Sequence, residues 1–180
     1  RGEPHAVTVL LHSLAFGALR PYITEDPKDA ISQSQIEMTL DVMANSLVYW
    51  TQDLVRRKLM GPGGKIFAMT SSGGTHVWPA YGAVSAAKAA LESHVRQLAF
   101  ELAPLRITAN SLRAGVTDTP ALRKIPGNEN LIAGAMARNP GGRLTTPADV
   151  GAAIAALCAS GTHWITGNVI GVDGGEDLTG

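Results

Sequence analysis

Hydrophobic positions along the chain follow two alternating periods. Ala6-Val7-Thr8-Val9-Leu10-Leu11 is a nearly continuous apolar run, the pattern of a parallel strand covered on both faces. Lys65-Ile66-Phe67-Ala68-Met69-Thr70 predicts a second strand, Arg106-Ile107-Thr108-Ala109-Asn110 a third and Asn168-Val169-Ile170-Gly171-Val172 a fourth. Between them, apolar residues recur at helical intervals. Ile36, Leu40, Met43, Leu47, Trp50 and Leu54 are spaced 4, 3, 4, 3 and 4 apart and mark one face of a helix, ended by Gly61-Pro62-Gly63-Gly64. Val84, Ala87, Leu91, Val95, Leu98 and Leu102 mark a second helix, stopped near Pro104. A third opens with Thr146 as N-cap, Pro147 at the first helical position and Asp149 three residues after the cap, and Gly161 closes it. Strands alternating with helices predict an α/β domain with a parallel sheet and right-handed crossovers.

The segment 117–145 breaks this rhythm. Pro120, Pro126, Gly127, Pro140, Gly141 and Gly142 surround one short apolar piece, Leu131 to Met136. It is too long for an idle connection, so it reads as a loop or helix over a binding site, with a disordered insertion as the alternative.

Composition narrows the class. The chain has 180 residues, is 45% hydrophobic and 17% charged, and so supports one domain with a real core. Lys plus Arg and Asp plus Glu are 15 each, and this balance argues against nucleic-acid or membrane-surface partners. No run of apolar residues is long enough to span a membrane. The single Cys158 lies in Ile154-Ala155-Ala156-Leu157-Cys158 and reads as a small core residue of a protein in a reducing, cytoplasmic compartment. His5, His12, His76, His94 and His163 show no metal-ligand spacing, so no metal is expected, and His76 reads as a solvated loop histidine.

Tyr81 and Lys88 are seven residues apart at the start of the second helix. Two turns of helix put both on one face, roughly 10 Å apart along the axis, from where long side chains converge on one bound molecule. A nearby ammonium makes a phenol a better acid towards a developing oxyanion. Thr70-Ser71-Ser72-Gly73-Gly74, His12-Ser13-Leu14-Ala15 and Ala114-Gly115-Val116-Thr117-Asp118-Thr119 each follow a predicted strand. In an open α/β sheet the ligand crevice lies at the carboxyl ends of the strands, so these three turns would line it beside the Tyr/Lys helix. Each is also compatible with an ordinary strand-to-helix turn.

The segment from Ser71-Ser72 through Tyr81-Gly82-Ala83-Val84-Ser85-Ala86-Ala87-Lys88-Ala89-Ala90-Leu91-Glu92 resembles the active-site segment of the short-chain dehydrogenases/reductases. So do Ile107-Thr108-Ala109-Asn110 with Ala114-Gly115 and Thr119, and the terminal Ile165-Thr166-Gly167-Asn168 with Val172-Asp173-Gly174-Gly175. The resemblance runs from end to end and implies a Rossmann-like, doubly wound parallel sheet. The common pattern of that family has Tyr four residues before Lys, a position held here by Val84. Tyr81, seven before Lys88, is similar to the enoyl-[acyl-carrier-protein] reductase branch, as is His12-Ser13-Leu14-Ala15-Phe16; Met43 stands where the usual helix Asn would, with Asn45 nearby. The stretch from Gly127 to Arg143 is similar to the substrate loop of an NADPH-using member.

The resemblance implies an NADPH- or NADH-dependent reduction of the trans-2 double bond of an enoyl thioester, carried on acyl-carrier-protein or CoA, in fatty-acid synthesis. Lys88 would bind the nicotinamide ribose, Tyr81 would stabilise the enolate, and Ser71 matches the family's active-site Ser. Ser13, Leu14, Ala15, Thr70, Ala114, Gly115, Thr117 and Thr119 would hold the cofactor. Val84, Val116, Ala121 and Met136 would line an acyl pocket, or serve as ordinary core. Assembly as a homodimer or homotetramer is implied in the same way. Reduction of a ketone or oxidation of an alcohol, and a non-catalytic fragment or pseudoenzyme, are the alternative readings. A complete member opens with a strand, a Gly-rich turn and a helix that cradles the pyrophosphate. The strand ending near His12 matches the family's fourth, so residues 1–180 are expected to be the C-terminal portion of one domain, strands four to seven. Roughly 75 further residues are expected ahead of it. The first strand would then be an apolar edge, and dinucleotide binding by these residues alone would be weak.

Overall fold

The structure, a computed structural model, describes residues 5–178. Its sheet has four parallel strands in sequence order: β1 Val9–His12, β2 Lys65–Thr70, β3 Thr108–Ala114 and β4 Val169–Val172. Leu10 pairs with Ile66, Phe67 with Asn110 and Leu112 with Ile170. Two strand limits differ from the apolar runs. β1 starts at Val9, because the Val7 N–H donates to the Leu59 carbonyl and not to a strand. β3 starts at Thr108, because Arg106 takes a left-handed φ of 56° that closes the preceding turn; it then continues to Ala114 by pairing with β4. Among the described residues β1 pairs with β2 alone, and its Val9 and Leu11 stay 37% and 44% exposed at the sheet edge.

The first predicted helix is three pieces in one rod: α1 Gln33–Leu40, a π turn Asp41–Asn45 and α2 Ser46–Arg56. Ser32 and Gln35 cap its start reciprocally in a capping box. A π turn inserts one residue into the helical count and rotates the helix beyond it. Thr39, Met43, Ala44, Leu47, Thr51 and Leu54 are therefore buried, while Trp50, expected on the inner face, is 58% exposed. The two buried threonines satisfy their hydroxyls by donating to the Gln35 and Leu47 carbonyls one turn back.

The second predicted helix is α3, Gly82–Leu102, and all six residues of its apolar stripe are buried. Leu91, Val95, Leu98 and Leu102 form the main core with Ile66 and Ala68 of β2, Ile107 just before β3, Ala109 of β3, and Leu47 and Leu54 of α2, while Val84 and Ala87 pack with Met43 in a second cluster. Leu91 is fully buried at the centre of the main core. Leu91→Ala is expected to destabilise the protein by about 2–5 kcal/mol, the transfer term plus an unfilled cavity, read as a lower urea midpoint with an unchanged m-value.

The loop 117–145 holds a short 3-10 turn, Leu122–Lys124, and a helix, α4 Asn128–Arg138. The last helix, α5 Pro147–Cys158, starts as expected: the Thr146 hydroxyl accepts from the Asp149 N–H, and Asp149 reaches back to the Thr146 N–H. Cys158 does not sit in the core. It is exposed, because α5 contributes no fully buried residue and ends at Cys158 on its outer side, with Val150, Ala153, Ile154 and Leu157 its only half-buried apolar residues. Among the described residues no helix is long and apolar enough to cross a membrane, and no three His, Cys, Asp or Glu side chains group to hold a metal.

Candidate active site

The site forms where β2 ends. Its last residue, Thr70, leads through Ser71 into a single 3-10 turn, Ser72–Gly74, which lies against the start of α3. Tyr81 is the N-cap residue of α3 and Lys88 lies two turns along it. Both side chains meet the same turn. A Cβ built on Gly73 would fall 2.6 Å from Tyr81 Cε1 and 3.2 Å from Ser71 Oγ, so only glycine admits the phenol here. A Cβ on Gly74 would lie 3.6 Å from Lys88 Cβ. The phenol and the ammonium thus flank one strand end. Ala80, just before Tyr81, holds a left-handed φ of 61°, a local strain that sets the entry angle of the helix. Ala80→Gly is expected to relieve it and raise the stability by about 1 kcal/mol, detected as a higher Tm.

Lys88 is buried, and its Nζ donates to the Met69 carbonyl at 2.7 Å. One of its three N–H donors is used in this way. Burial lowers its pKa from 10.5 to about 8, and the Glu92 carboxylate one turn later opposes that fall. Tyr81 is half-buried; loss of solvent raises its phenol pKa above the ordinary 10, against a smaller pull from Ser71. The phenol therefore stays protonated at any physiological pH and acts as a donor. Ser71 Oγ is buried and makes no well-formed hydrogen bond among the described residues, so its effect on Tyr81 is one of proximity.

The other predicted contacts divide into two groups. Ser13, Leu14 and Ala15 are exposed at the tip of β1. Ala114, Gly115, Val116 and Thr117 follow at the tip of β3, half-buried. Three strand ends therefore open on one side, as a ligand crevice requires. Several side chains in this crevice are already engaged. The Thr70 hydroxyl donates to Glu92 Oε1 at 2.7 Å, Thr117 Oγ1 donates to the Gly115 carbonyl, and Thr119 Oγ1 accepts from the Leu122 N–H. For these residues the backbone, not the hydroxyl, is what remains to face a ligand. Val84 is buried against Met43 and Ala87, while Ala121 and Met136 are exposed in the 117–145 segment.

Three features were missed in the sequence. His12 is buried at the end of β1, where its Nε2 donates to Ser46 Oγ at 2.8 Å, Ser46 itself donating to the Val42 carbonyl. Burial first, and Lys88 second, lower the His12 pKa to about 4, so it adds no charge at neutral pH. Arg113 on β3 pairs with Asp177 at 2.9 Å, and His76, 65% exposed in its side chain, stands 3.8 Å from the same carboxylate. Glu176 is buried, accepts from the Val116 N–H at 3.1 Å and lies 4.0 Å from Arg138 of α4; burial raises its carboxyl pKa. A Cβ on Gly115 would meet Thr145 Oγ1 and, at 2.8 Å, Glu176 Oε2, so the tail packs directly on the β3 tip. The pairings of Asp177 and Glu176 had no local signal, since more than 50 residues separate them from β3.

Residues 3–177 match the family described as enoyl-(acyl carrier protein) reductase. The chain belongs to that family. Similar members include the enoyl-[acyl-carrier-protein] reductase [NADH] FabI of Synechocystis sp., 34% identical over 175 residues, which are 96% of this chain and 65% of that protein. The 1-cyclohexenylcarbonyl-CoA reductase of Streptomyces collinus is 37% identical over 123 residues, 67% of this chain and 44% of that protein. Among solved structures, the enoyl-[acyl-carrier-protein] reductase (NADH) of Aquifex aeolicus superposes with a TM-score of 0.84 at 31% identity, covering 96% of this chain and 66% of the other. The chain thus spans about 65% of the length of its FabI relatives. For an enoyl reductase of this family, the residues present fit the nicotinamide-ribose end of a dinucleotide: a buried ammonium with unused donors, an unpartnered Ser71 hydroxyl and open strand ends.

Proposed function

We propose that the protein reduces the trans-2 double bond of an enoyl thioester with NADH or NADPH in the cytoplasmic synthesis of fatty acids. The observation that carries this reading is the seven-residue spacing of Tyr81 and Lys88 with both side chains on the turn that ends β2. The dinucleotide, when bound, supplies the hydride for the β carbon. Lys88 would hold the ribose hydroxyls with the donors left over from Met69 and would supply positive charge there. Tyr81 donates to the thioester carbonyl oxygen, where negative charge appears only as the double bond is reduced, so its contribution falls on the transition state. The buried Ser71 hydroxyl is the second donor at that oxygen. Backbone at Ser13, Leu14 and Ala15, at Thr70, and from Ala114 through Thr117 to Thr119 flanks the cofactor. Residues 117–145, with α4, form the substrate-binding segment, where Val116, Ala121 and Met136 border the acyl chain and Val84 supports it from the core.

The thioester carrier is acyl-carrier-protein or CoA; the names of the FabI relatives favour the first, and that of the Streptomyces collinus reductase favours the second. The FabI names also favour NADH over NADPH. Assembly as a homodimer or homotetramer belongs to the same reading, and Tyr49, Trp50 and Phe100 offer exposed apolar surface on α2 and α3 for it. The test is oxidation of NADH and NADPH with crotonyl thioesters of acyl-carrier-protein and of CoA, beside a panel of ketones. Turnover of a crotonyl thioester is expected. Turnover of ketones alone would move the protein to another branch of the short-chain reductases.

A further inference from the structure

A buried lysine needs a reason to stay charged: burial lowers the Lys88 pKa to about 8 even with the Glu92 carboxylate opposing the fall. Glu92 lies one turn further along α3, on the same side of the helix, and is half-buried. Its carboxylate is not free to swing. Oε1 accepts the hydroxyl proton of Thr70, the buried last residue of β2, at 2.7 Å. The neighbouring residue of β2, Met69, supplies the carbonyl that binds Lys88 Nζ, also at 2.7 Å. Consecutive strand residues therefore tie down the ammonium and the carboxylate at the same strand end. The turn after β2 closes over both: a Cβ on Gly74 would lie 3.5 Å from Glu92 Oε1 and 3.6 Å from Lys88 Cβ.

The remaining groups around Lys88 carry no compensating charge. From β1, His12 is neutral above pH about 4. From the turn, Ser72, Gly73 and Gly74 do not titrate. On α3 itself Tyr81 is a neutral phenol. In the π turn, Asp41 accepts from the Tyr49 hydroxyl at 3.0 Å on an exposed face, and on β3 Arg113 is paired with Asp177. Glu92 is the anion left to act on Lys88.

We propose that Glu92, clamped by Thr70, is a positioning residue that fixes Lys88 as an ammonium ion aimed at the end of β2. Its catalytic meaning rests on the proposed function; its effect on Lys88 does not. The clamp also accounts for the Thr70 hydroxyl facing the helix and not the crevice.

The experiment follows the ε-carbon resonance of Lys88 in 13C-lysine-labelled protein against pH, assigned by its loss in Lys88→Arg. Wild type is expected to titrate at about 8. Glu92→Gln, which retains an oxygen for Thr70 but no charge, is expected to lower the midpoint by roughly one unit. Thr70→Val, which loosens the carboxylate without removing it, gives a smaller fall in the same direction. Glu101→Gln, an exposed carboxylate on the same helix, leaves it unchanged. In crotonyl-thioester reduction the alkaline limb of kcat/KM moves with the Lys88 midpoint. An unchanged midpoint in folded Glu92→Gln overturns the proposal; should that variant not fold, an unchanged midpoint in Thr70→Val does so. A midpoint that falls in a protein with no reductase activity leaves the clamp standing and removes the proposed function instead.

Discussion

Tyr81→Phe lowers kcat for crotonyl-thioester reduction by about two to three orders of magnitude while NADH or NADPH binding changes little. The cause is geometric. The ring packs on Gly73 through its Cε1 edge, so phenylalanine keeps the same contacts and the fold tolerates it. Only the hydroxyl goes. That hydroxyl stays protonated because burial raises its pKa, which leaves it able to donate across the working pH range. A donor aimed at an oxygen that becomes charged during the reaction acts on the transition state far more than on bound substrate, so the loss appears in kcat as well as in kcat/KM. Ser71 beside it sustains a residual rate. The measurement is steady-state oxidation of the reduced nicotinamide with both proteins, paired with fluorescence titration of the cofactor. Equal turnover in the two proteins removes Tyr81 from the reaction.

Lys88→Met abolishes cofactor-dependent turnover and at the same time makes the protein more stable at neutral pH. Lys88 is 7% exposed, and its ammonium is held by the Met69 carbonyl in place of bulk water. Methionine has similar length, fills the same space and needs no solvation, so relieving the buried charge outweighs the lost hydrogen bond to Met69. The expected gain is about 2 kcal/mol, or a Tm higher by about 5 °C. The pH dependence has a definite sign. The folded pKa of about 8 lies below the ordinary 10.5, so below pH 8 both the folded and the unfolded chain carry the proton and the burial cost is fully present. Between about 8 and 10.5 the folded protein sheds its proton first, and the wild type regains stability as pH rises. The advantage of Lys88→Met is therefore largest at pH 7 and shrinks towards pH 10. Calorimetric scans of both proteins across that range check it; an advantage that does not change with pH assigns the effect to packing alone. A stabilising change that removes activity is the signature of a group kept for chemistry at the expense of the fold.

Much of the architecture was legible in the chain itself. The stripe from Val84 to Leu102 is buried residue for residue, and Thr146, Pro147 and Asp149 start α5 with the expected capping box. These features are encoded within one element: a 3.6-residue period or a side chain three residues from its partner needs no knowledge of the rest of the molecule. Tyr81 and Lys88 were legible for the same reason, since a helix fixes their relative direction. Glu92 was written there as well, a carboxylate four residues after Lys88, but nothing local says that Thr70 holds it.

The sequence by itself determined the four strands, the helices of the two apolar stripes, the capped start of α5 and the pair of functional groups that one helix carries. The tertiary structure alone decided the rest. It placed a π turn in the first helix and so exchanged Trp50 for Thr51 on the inner face, because the fit against α3 outweighs the apolar count. It left Cys158 outside, since whether an apolar helix is covered depends on what packs against it and not on its own residues. It also brought Glu176 and Asp177 to the tip of β3 and buried Lys88 with its ammonium on the Met69 carbonyl. Burial and charge pairing are properties of surroundings assembled from distant segments, and no period along the chain records them.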